Sequence, residues 1–293
     1  MYRPSLLERI IRRLRREFYF LIDRVYLPAD RREVLRSRNL TLIPPARNRR
    51  GGKQSYAEWG HVIGVFQTLL ELHLGAGEGR RILDVGCGTG LMAIAASPFV
   101  GGGGRYTGID VMRADVEFCR RHYPADTHEF VHFDVSNPMY APAQASANQA
   151  WPLDADAFDM VTAVSVWTHL NETDAVFYLS EVARVLRPGG KAVITFFILD
   201  ETYRRSLPRP AGVRGRFHMT RQKSWIFDQP SYGSDAWFHP AWVEVPENAI
   251  GVTEAGLERL QKASGLTLLE LHTGNWKEQP GVFFQDVLVF RKD

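Results

Sequence analysis

Cysteine is scarce: the 293 residues hold two, Cys87 and Cys119. Two thiols cannot build a disulfide framework and show no metal-ligand spacing, so neither a stapled secreted scaffold nor a metal site is expected. Also missing is any run of about eighteen apolar residues, so no membrane-spanning helix is expected. The first residues lack the apolar core and small-residue cleavage site of a secretory signal. A cytoplasmic protein is the simplest expectation. No internal repeat is visible, and a 45% hydrophobic, 24% charged composition is that of ordinary globular protein. The length admits one large α/β domain with additions, or two small domains.

Acidic residues are sparse at one end. Residues 1–53 carry fifteen Lys/Arg against five Asp/Glu, an excess of +10, which with a total of +3 leaves −7 for the remaining 240 residues. A basic arm on an acidic body suggests an anionic partner or surface. Residues 5–26 predict one amphipathic helix, with Leu7, Ile10, Ile11, Leu14, Phe18, Leu21, Ile22 and Val25 at spacings of three and four. Arg9, Arg12, Arg13, Arg15 and Arg16 lie mostly off that stripe, and Pro28 marks the end. The stripe suits packing on the rest of the chain or on a second copy in a homodimer. It equally suits peripheral contact with the inner face of a membrane. Nucleic acid fits less well, because base-stacking aromatics are not interleaved with the arginines.

A stretch from Ile43-Pro44-Pro45 to Gly51-Gly52 reads as a linker, and residues 57–74 as a helix. From Arg81 onward, short apolar runs alternate with helical segments. The runs are Ile82–Val85, Tyr106–Ile109, Phe130–Phe133, Met160–Val164 and Ala192–Phe197; the helices are Leu91–Ala96, Ala114–Arg121 and Glu172–Leu186. Such alternation predicts a parallel sheet with right-handed crossovers. A helix Thr253–Ser264 and strands Thr267–His272 and Phe283–Arg291 follow. The division expected is an arm and linker, 1–53, then a domain, 54–293, interrupted by long segments at 136–156 and 200–248. The second holds eight aromatics and reads as a substrate lid.

Ile82-Leu83-Asp84-Val85-Gly86-Cys87-Gly88-Thr89-Gly90 is a strand running into a glycine-rich turn and then a helix. Glycine serves where the backbone turns sharply and approaches a ligand without a Cβ in the way. The spacing is G-x-G-x-G after an acid, not the G-x-G-x-x-G of dinucleotide sites. An acid at this turn would repel a pyrophosphate but suits a ligand bearing an ammonium and a sulfonium, favouring S-adenosylmethionine over NAD. Asp110 ends the second run, where a carboxylate can accept from both ribose hydroxyls. Asp134 ends the third, suiting an adenine amine or, equally, a helix cap. Val111, Val135 and Ser165 complete the expected cofactor-binding set with Asp84, Gly86, Cys87, Gly88, Gly90, Asp110 and Asp134.

The ordered set Leu83–Gly90, Gly108–Asp110, Asp134, Phe158–Val161 and Glu181–Gly190 resembles the class I S-adenosylmethionine-dependent methyltransferases. The resemblance covers roughly residues 81–197. It implies a Rossmann-like α/β fold with a seven-stranded, mostly parallel sheet in the order 3-2-1-4-5-7-6, strand seven antiparallel. The chain is further similar to bacterial methyltransferases found with sugar and glycan biosynthesis enzymes. That likeness rests on Asn137-Pro138-Met139-Tyr140, Ser165-Val166-Trp167-Thr168-His169-Leu170, His272-Thr273-Gly274-Asn275-Trp276 and Gln285-Asp286.

Methyl transfer from a sulfonium is an in-line displacement, so a protein chiefly aligns the nucleophile and excludes water. A hydroxyl nucleophile also gains from a general base. His169, after the fourth run, is the candidate, with packing against the cofactor as its alternative role. His272, Glu172, His239 and His218 are reserves for the base role; His239, His272 and Trp276 are candidates for substrate contact, with Asn275 beside Trp276 lining the pocket. The aromatics of 200–248 suit a platform for sugar rings or, equally, the small core of a lid. Asn137–Tyr140 is similar to an amino-methyltransferase signature but follows the third run, not the fourth, so oxygen is the expected acceptor atom. Cys87 has no activating base nearby in sequence and is not expected to act as a nucleophile. The expected activity is O-methylation of a small molecule such as a sugar or glycolipid. A nucleic-acid methyltransferase anchored by the arm, or a non-catalytic cofactor-binding partner, are the alternatives.

Overall fold

The computed structural model describes residues 6–29, 39–51, 53–135, 148–207, 217 and 225–293. Asn137–Tyr140 and His218 lie outside them. The chain forms two compact units, one ending at Phe133 and one beginning at Asp134.

The first unit opens with helix α1, Leu6–Ala29, which ends just past Pro28. Its polar side meets the short turn Ala46–Asn48 and the residue after it: Arg47 reaches Glu17 at 2.8 Å, and buried Arg49 reaches buried Asp23 at 2.5 Å. The apolar stripe is exposed along its whole length, so it does not pack on the chain's own core as one reading held. Helix α2, Tyr56–Leu74, starts where the Ser55 hydroxyl accepts from the Glu58 N–H and stops at Gly75 (φ 74°). Strands β1 (Arg81–Val85), β2 (Arg105–Asp110) and β3 (His128–His132) then pair in parallel with β2 in the middle, linked by helices α3 (Leu91–Ala96) and α4 (Arg113–His122). β1 is buried at four of five positions, as a continuous apolar run requires when both faces are covered.

The second unit contains β4 (Phe158–Ala163), helix α5 (Glu172–Val185) and β5 (Leu186–Phe196). Two short strands follow, with helix α6 between them: β6 (Ile198–Leu199), α6 (Glu201–Ser206) and β7 (Gln229–Pro230). β8 (Trp237–His239), β9 (Gly251–Thr253), helix α7 (Glu254–Ser264), β10 (Thr267–His272) and β11 (Asp286–Arg291) complete it. β4 and β5 are parallel, whereas β11 runs antiparallel to both β5 and β10. β3-β2-β1 lies within the first unit and β4-β5-β11-β10 within the second, with β11 and β10 as the seventh and sixth strands of the expected order, and the protein has the Rossmann-like α/β fold.

Three boundaries differ from the sequence reading. Arg187-Pro188-Gly189-Gly190 does not separate a helix from a strand. Strand β5 already begins at Leu186, and the pairing jumps from Phe158–Leu186 to Met160–Lys191, so these four residues bulge out. The last strand starts at Asp286 rather than Phe283. The 200–248 segment is not a lid of loops alone, because β7 and β8 join β6 and β9 in a second, four-stranded sheet.

Beside that sheet, Phe197, Tyr203, Phe227 and Trp276 form a buried aromatic cluster, so the small-core reading holds for Tyr203 and Phe227. A fully buried ion pair closes it. Lys277 Nζ lies 3.0 Å from Asp286 and 2.8 Å from Asp200, the cap of α6. Asp286 also accepts from the Gly274 and Ile198 N–H groups and the Trp276 indole. Removing one partner of such a pair leaves a buried charge, at about 3–5 kcal/mol. Lys277→Met should lower unfolding stability by about that amount in urea titration, and adding Asp286→Asn should recover part of it.

Candidate active site

The glycine turn needs the conformations its residues permit. Gly86, Gly88 and Gly90 have φ of 69°, 50° and 90°, the left-handed region closed to most side chains. A Cβ on Gly90 would sit 2.5 Å from the Tyr123 ring. Tyr123 holds the turn from outside, its hydroxyl donating to the Thr89 carbonyl at 2.8 Å and the Gly90 carbonyl at 3.1 Å.

Asp110, at the end of β2, pins the turn from the other side. One carboxylate oxygen accepts from the Gly88 N–H at 2.7 Å, the other from the Met112 N–H at 2.8 Å. A carboxylate offers about four acceptor positions, so about two remain for ribose hydroxyls. Burial pushes the Asp110 carboxyl up from the ordinary range, and the two N–H groups oppose this. The Gly86 and Cys87 N–H groups both donate to the Ile109 carbonyl. Val111 follows, half-buried, its carbonyl 3.1 Å from His132 Nε2.

Asp84 is 2% exposed and accepts from the Tyr106 hydroxyl at 2.6 Å. Burial, with the Asp84 charge beside it, pushes the Tyr106 phenol well up, so it stays a donor. Cys87 is buried; hydrogen bonding with Cys119, together with burial, raises its thiol well above the ordinary value, which disfavours a thiolate nucleophile. Thr89 is buried, and its hydroxyl has no hydrogen-bond partner among the described residues. A buried polar atom left without a partner beside a left-handed glycine turn fits a bound polar ligand such as S-adenosylmethionine.

In the second unit, Asp134 is exposed and Val135 buried. Ser165, beyond the end of β4, has φ 61°, an unusual value for a non-glycine residue. Its N–H donates to the Thr195 hydroxyl at 2.7 Å, and its hydroxyl donates to Gln285 Oε1 at 2.9 Å. His169 is half-buried, and its Nδ1 is 2.7 Å from the Glu247 carbonyl. A carbonyl only accepts, so Nδ1 carries the hydrogen and the neutral ring has its lone pair on Nε2. Burial lowers the His169 pKa, against the pull of that hydrogen bond, and keeps the ring neutral. Glu247 is itself held by the Tyr232 hydroxyl, which donates to both carboxylate oxygens at 2.8 and 2.9 Å.

The substrate candidates separate. His239 is half-buried on β8, with Nδ1 3.1 Å from the Ser231 hydroxyl. His272 is half-buried on β10, 2.9 Å from Glu270. Trp276 is 1% exposed inside the aromatic cluster, so the structure gives it a core role in place of the expected pocket-lining one. Among the reserves, Glu172 is bonded to Ser234 and Arg259. Tyr106, Tyr123, Thr195 and Glu247 carry no local sequence signal; Gln285 stood in a quoted motif without a role.

Residues 83–194 match the family described as "Methyltransferase domain". This segment is similar to methyltransferase domains. It is similar to an O-methyltransferase of Pyrenophora dematioidea, 38% identical over 42% of this chain and 41% of the relative. A fatty-acid O-methyltransferase of Mycolicibacterium smegmatis is 37% identical over 40% of this chain and 37% of the relative. The chain thus spans about two fifths of the length of each. An S-adenosylmethionine-dependent methyltransferase structure from Mesorhizobium loti shares the fold at TM-score 0.50 and 16% identity, over 78% of this chain and 97% of that one.

Asp110→Ala should weaken S-adenosylmethionine binding at least about tenfold in isothermal titration, the loss of a charge-assisted contact of about 1.5–3 kcal/mol. Wild-type affinity in that variant would remove Asp110 from the cofactor contacts.

Proposed function

We propose that the chain transfers a methyl group from S-adenosylmethionine to a hydroxyl oxygen of a small molecule, with a sugar or glycolipid as the acceptor class. The observation that carries this reading is the Asp110 carboxylate, which bridges the Gly88 and Met112 N–H groups and keeps acceptor positions for ribose hydroxyls. When bound, the cofactor supplies an electrophilic methyl on a positive sulfur. The residues proposed to bind the cofactor are, in the first unit, Asp84, Gly86, Cys87, Gly88, Gly90, Asp110 and Val111; those proposed in the second are Asp134, Val135 and Ser165. The two relatives named above are O-methyltransferases, one of them acting on fatty acids, which supports oxygen as acceptor atom and an amphiphilic acceptor. Exposed Tyr232 and Trp242 offer aromatic faces of the kind sugars stack on, with His239 as a polar neighbour in the same segment.

His169 is the proposed base. Its tautomer is set by Glu247, so the acceptor's proton would pass to Nε2. Because its pKa is lowered, the ring is in its basic form throughout the neutral range and loses it only as the pH falls through a value below about 6.5. The acid limb of kcat/KM should therefore lie below pH of about 6.5. His169→Ala should reduce kcat roughly 10²–10⁴-fold with cofactor binding intact, measured by transfer of labelled methyl to a panel of hydroxyl acceptors. Unchanged turnover in the variant would remove His169 as base; cofactor binding without transfer to any acceptor by the wild type would favour a non-catalytic binding protein.

A further inference from the structure

The amphipathic arm presents a surface that the methyl-transfer reading does not use. In α1, Leu7, Leu14, Phe18, Leu21 and Val25 are between 60% and 76% exposed, and Ile10, Ile11 and Ile22 between 37% and 47%. At about 100° per residue these eight fall within one sector of about 120°. The helix is held at Asp23, opposite the stripe, where it meets Arg49, and at Glu17, beside the stripe's edge, where it meets Arg47; the apolar sector itself stays exposed. Large apolar side chains gathered in one exposed stripe mark an interaction surface.

Charge selects the partner. Arg15 borders the stripe on one side, Arg13 and Arg24 on the other, and Arg9, Arg12 and Arg16 lie behind; all six are exposed. Of the helix's three acids, Glu17 and Asp23 already bind the linker's arginines. Stripe-to-stripe pairing of two copies would bring two arginine borders together with few acids to offset them. A nucleic acid would engage the arginines but leave the apolar sector in water. An anionic bilayer satisfies both sets at once, apolar groups entering the acyl boundary and arginines meeting the headgroups.

We infer that α1 docks this protein on anionic lipid surfaces as a peripheral, in-plane helix. No described helix is long and apolar enough to cross a membrane, in keeping with a helix lying on the surface. The inference stands whether or not the acceptor is a lipid, since its readout is binding.

The test uses the full chain and vesicles of phosphatidylcholine alone or with about one third phosphatidylglycerol. Co-sedimentation should show binding about tenfold or more stronger to the anionic vesicles and steeply weakened by salt. Leu14→Glu with Phe18→Glu should abolish it without lowering the melting temperature, because both sites are exposed. Arg12→Gln with Arg15→Gln and Arg16→Gln should erase the preference for anionic lipid while leaving the weak binding to phosphatidylcholine. Wild-type binding by the double glutamate variant would overturn the inference. So would a wild-type dimer in sedimentation velocity that ignores vesicles and is split by that variant.

Discussion

Asp110 is the fixed point on which the glycine turn depends. A turn through three left-handed glycines has many conformations open to it unless its amides are tied. Here the ties come from the end of β2: the Ile109 carbonyl takes the Gly86 and Cys87 N–H groups, and the Asp110 carboxylate takes that of Gly88. Charge-assisted bonds to backbone N–H are stronger than neutral ones, so the acid at the end of β2 shapes the turn. Tyr123 and Tyr106 complete the frame, the first holding two turn carbonyls and the second the buried Asp84. The turn is thus shaped by its own unit, which lowers the ordering cost on binding.

Ser165 solves a similar problem without glycine. A left-handed serine costs on the order of 1–3 kcal/mol, and it persists only when its surroundings over-determine it. Thr195 and Gln285 do so, binding its N–H and hydroxyl, while the Thr195 hydroxyl donates to Gln285 in turn. The adjacent Asp286 carries the other load, collecting Lys277, Trp276 and two backbone amides. The Gln285-Asp286 pair is therefore structural support at the start of the last antiparallel strand, one residue holding the turn after β4 and the other the aromatic cluster.

Much of the fold was legible because its signals are local. Apolar runs ending in Gly or Asp mark β1, β2 and β3 to within one or two residues, and the helices read at 57–74, Glu172–Leu186 and Thr253–Ser264 start within one residue of those observed. What escaped depends on partners distant in sequence. The bulge at Arg187–Gly190 is defined by the register of β4, and strands of two or three residues, such as β6 and β7, are too short to show a period. Trp276 looked like a pocket residue because a tryptophan after a strand suits either role; only its bond to buried Asp286 separates them. Likewise His169 was visible as a titratable group, but not Glu247, which sets its tautomer from 78 residues away.

The arm shows how one composition hides two functions of charge. Its excess of arginine reads from sequence as a single basic surface. The structure splits it: Arg49 pairs with Asp23 in a buried contact, while the exposed Arg47 pairs with Glu17 and the partly exposed Arg50 with buried Asp115 on α4. These pairs bind helix, linker and the strand–turn–helix unit to one another. Because they use two of α1's own acids, they leave the outward arginines with little opposing charge. Internal pairing thus sharpens the external field, and buried Asp23 fixes the inward side.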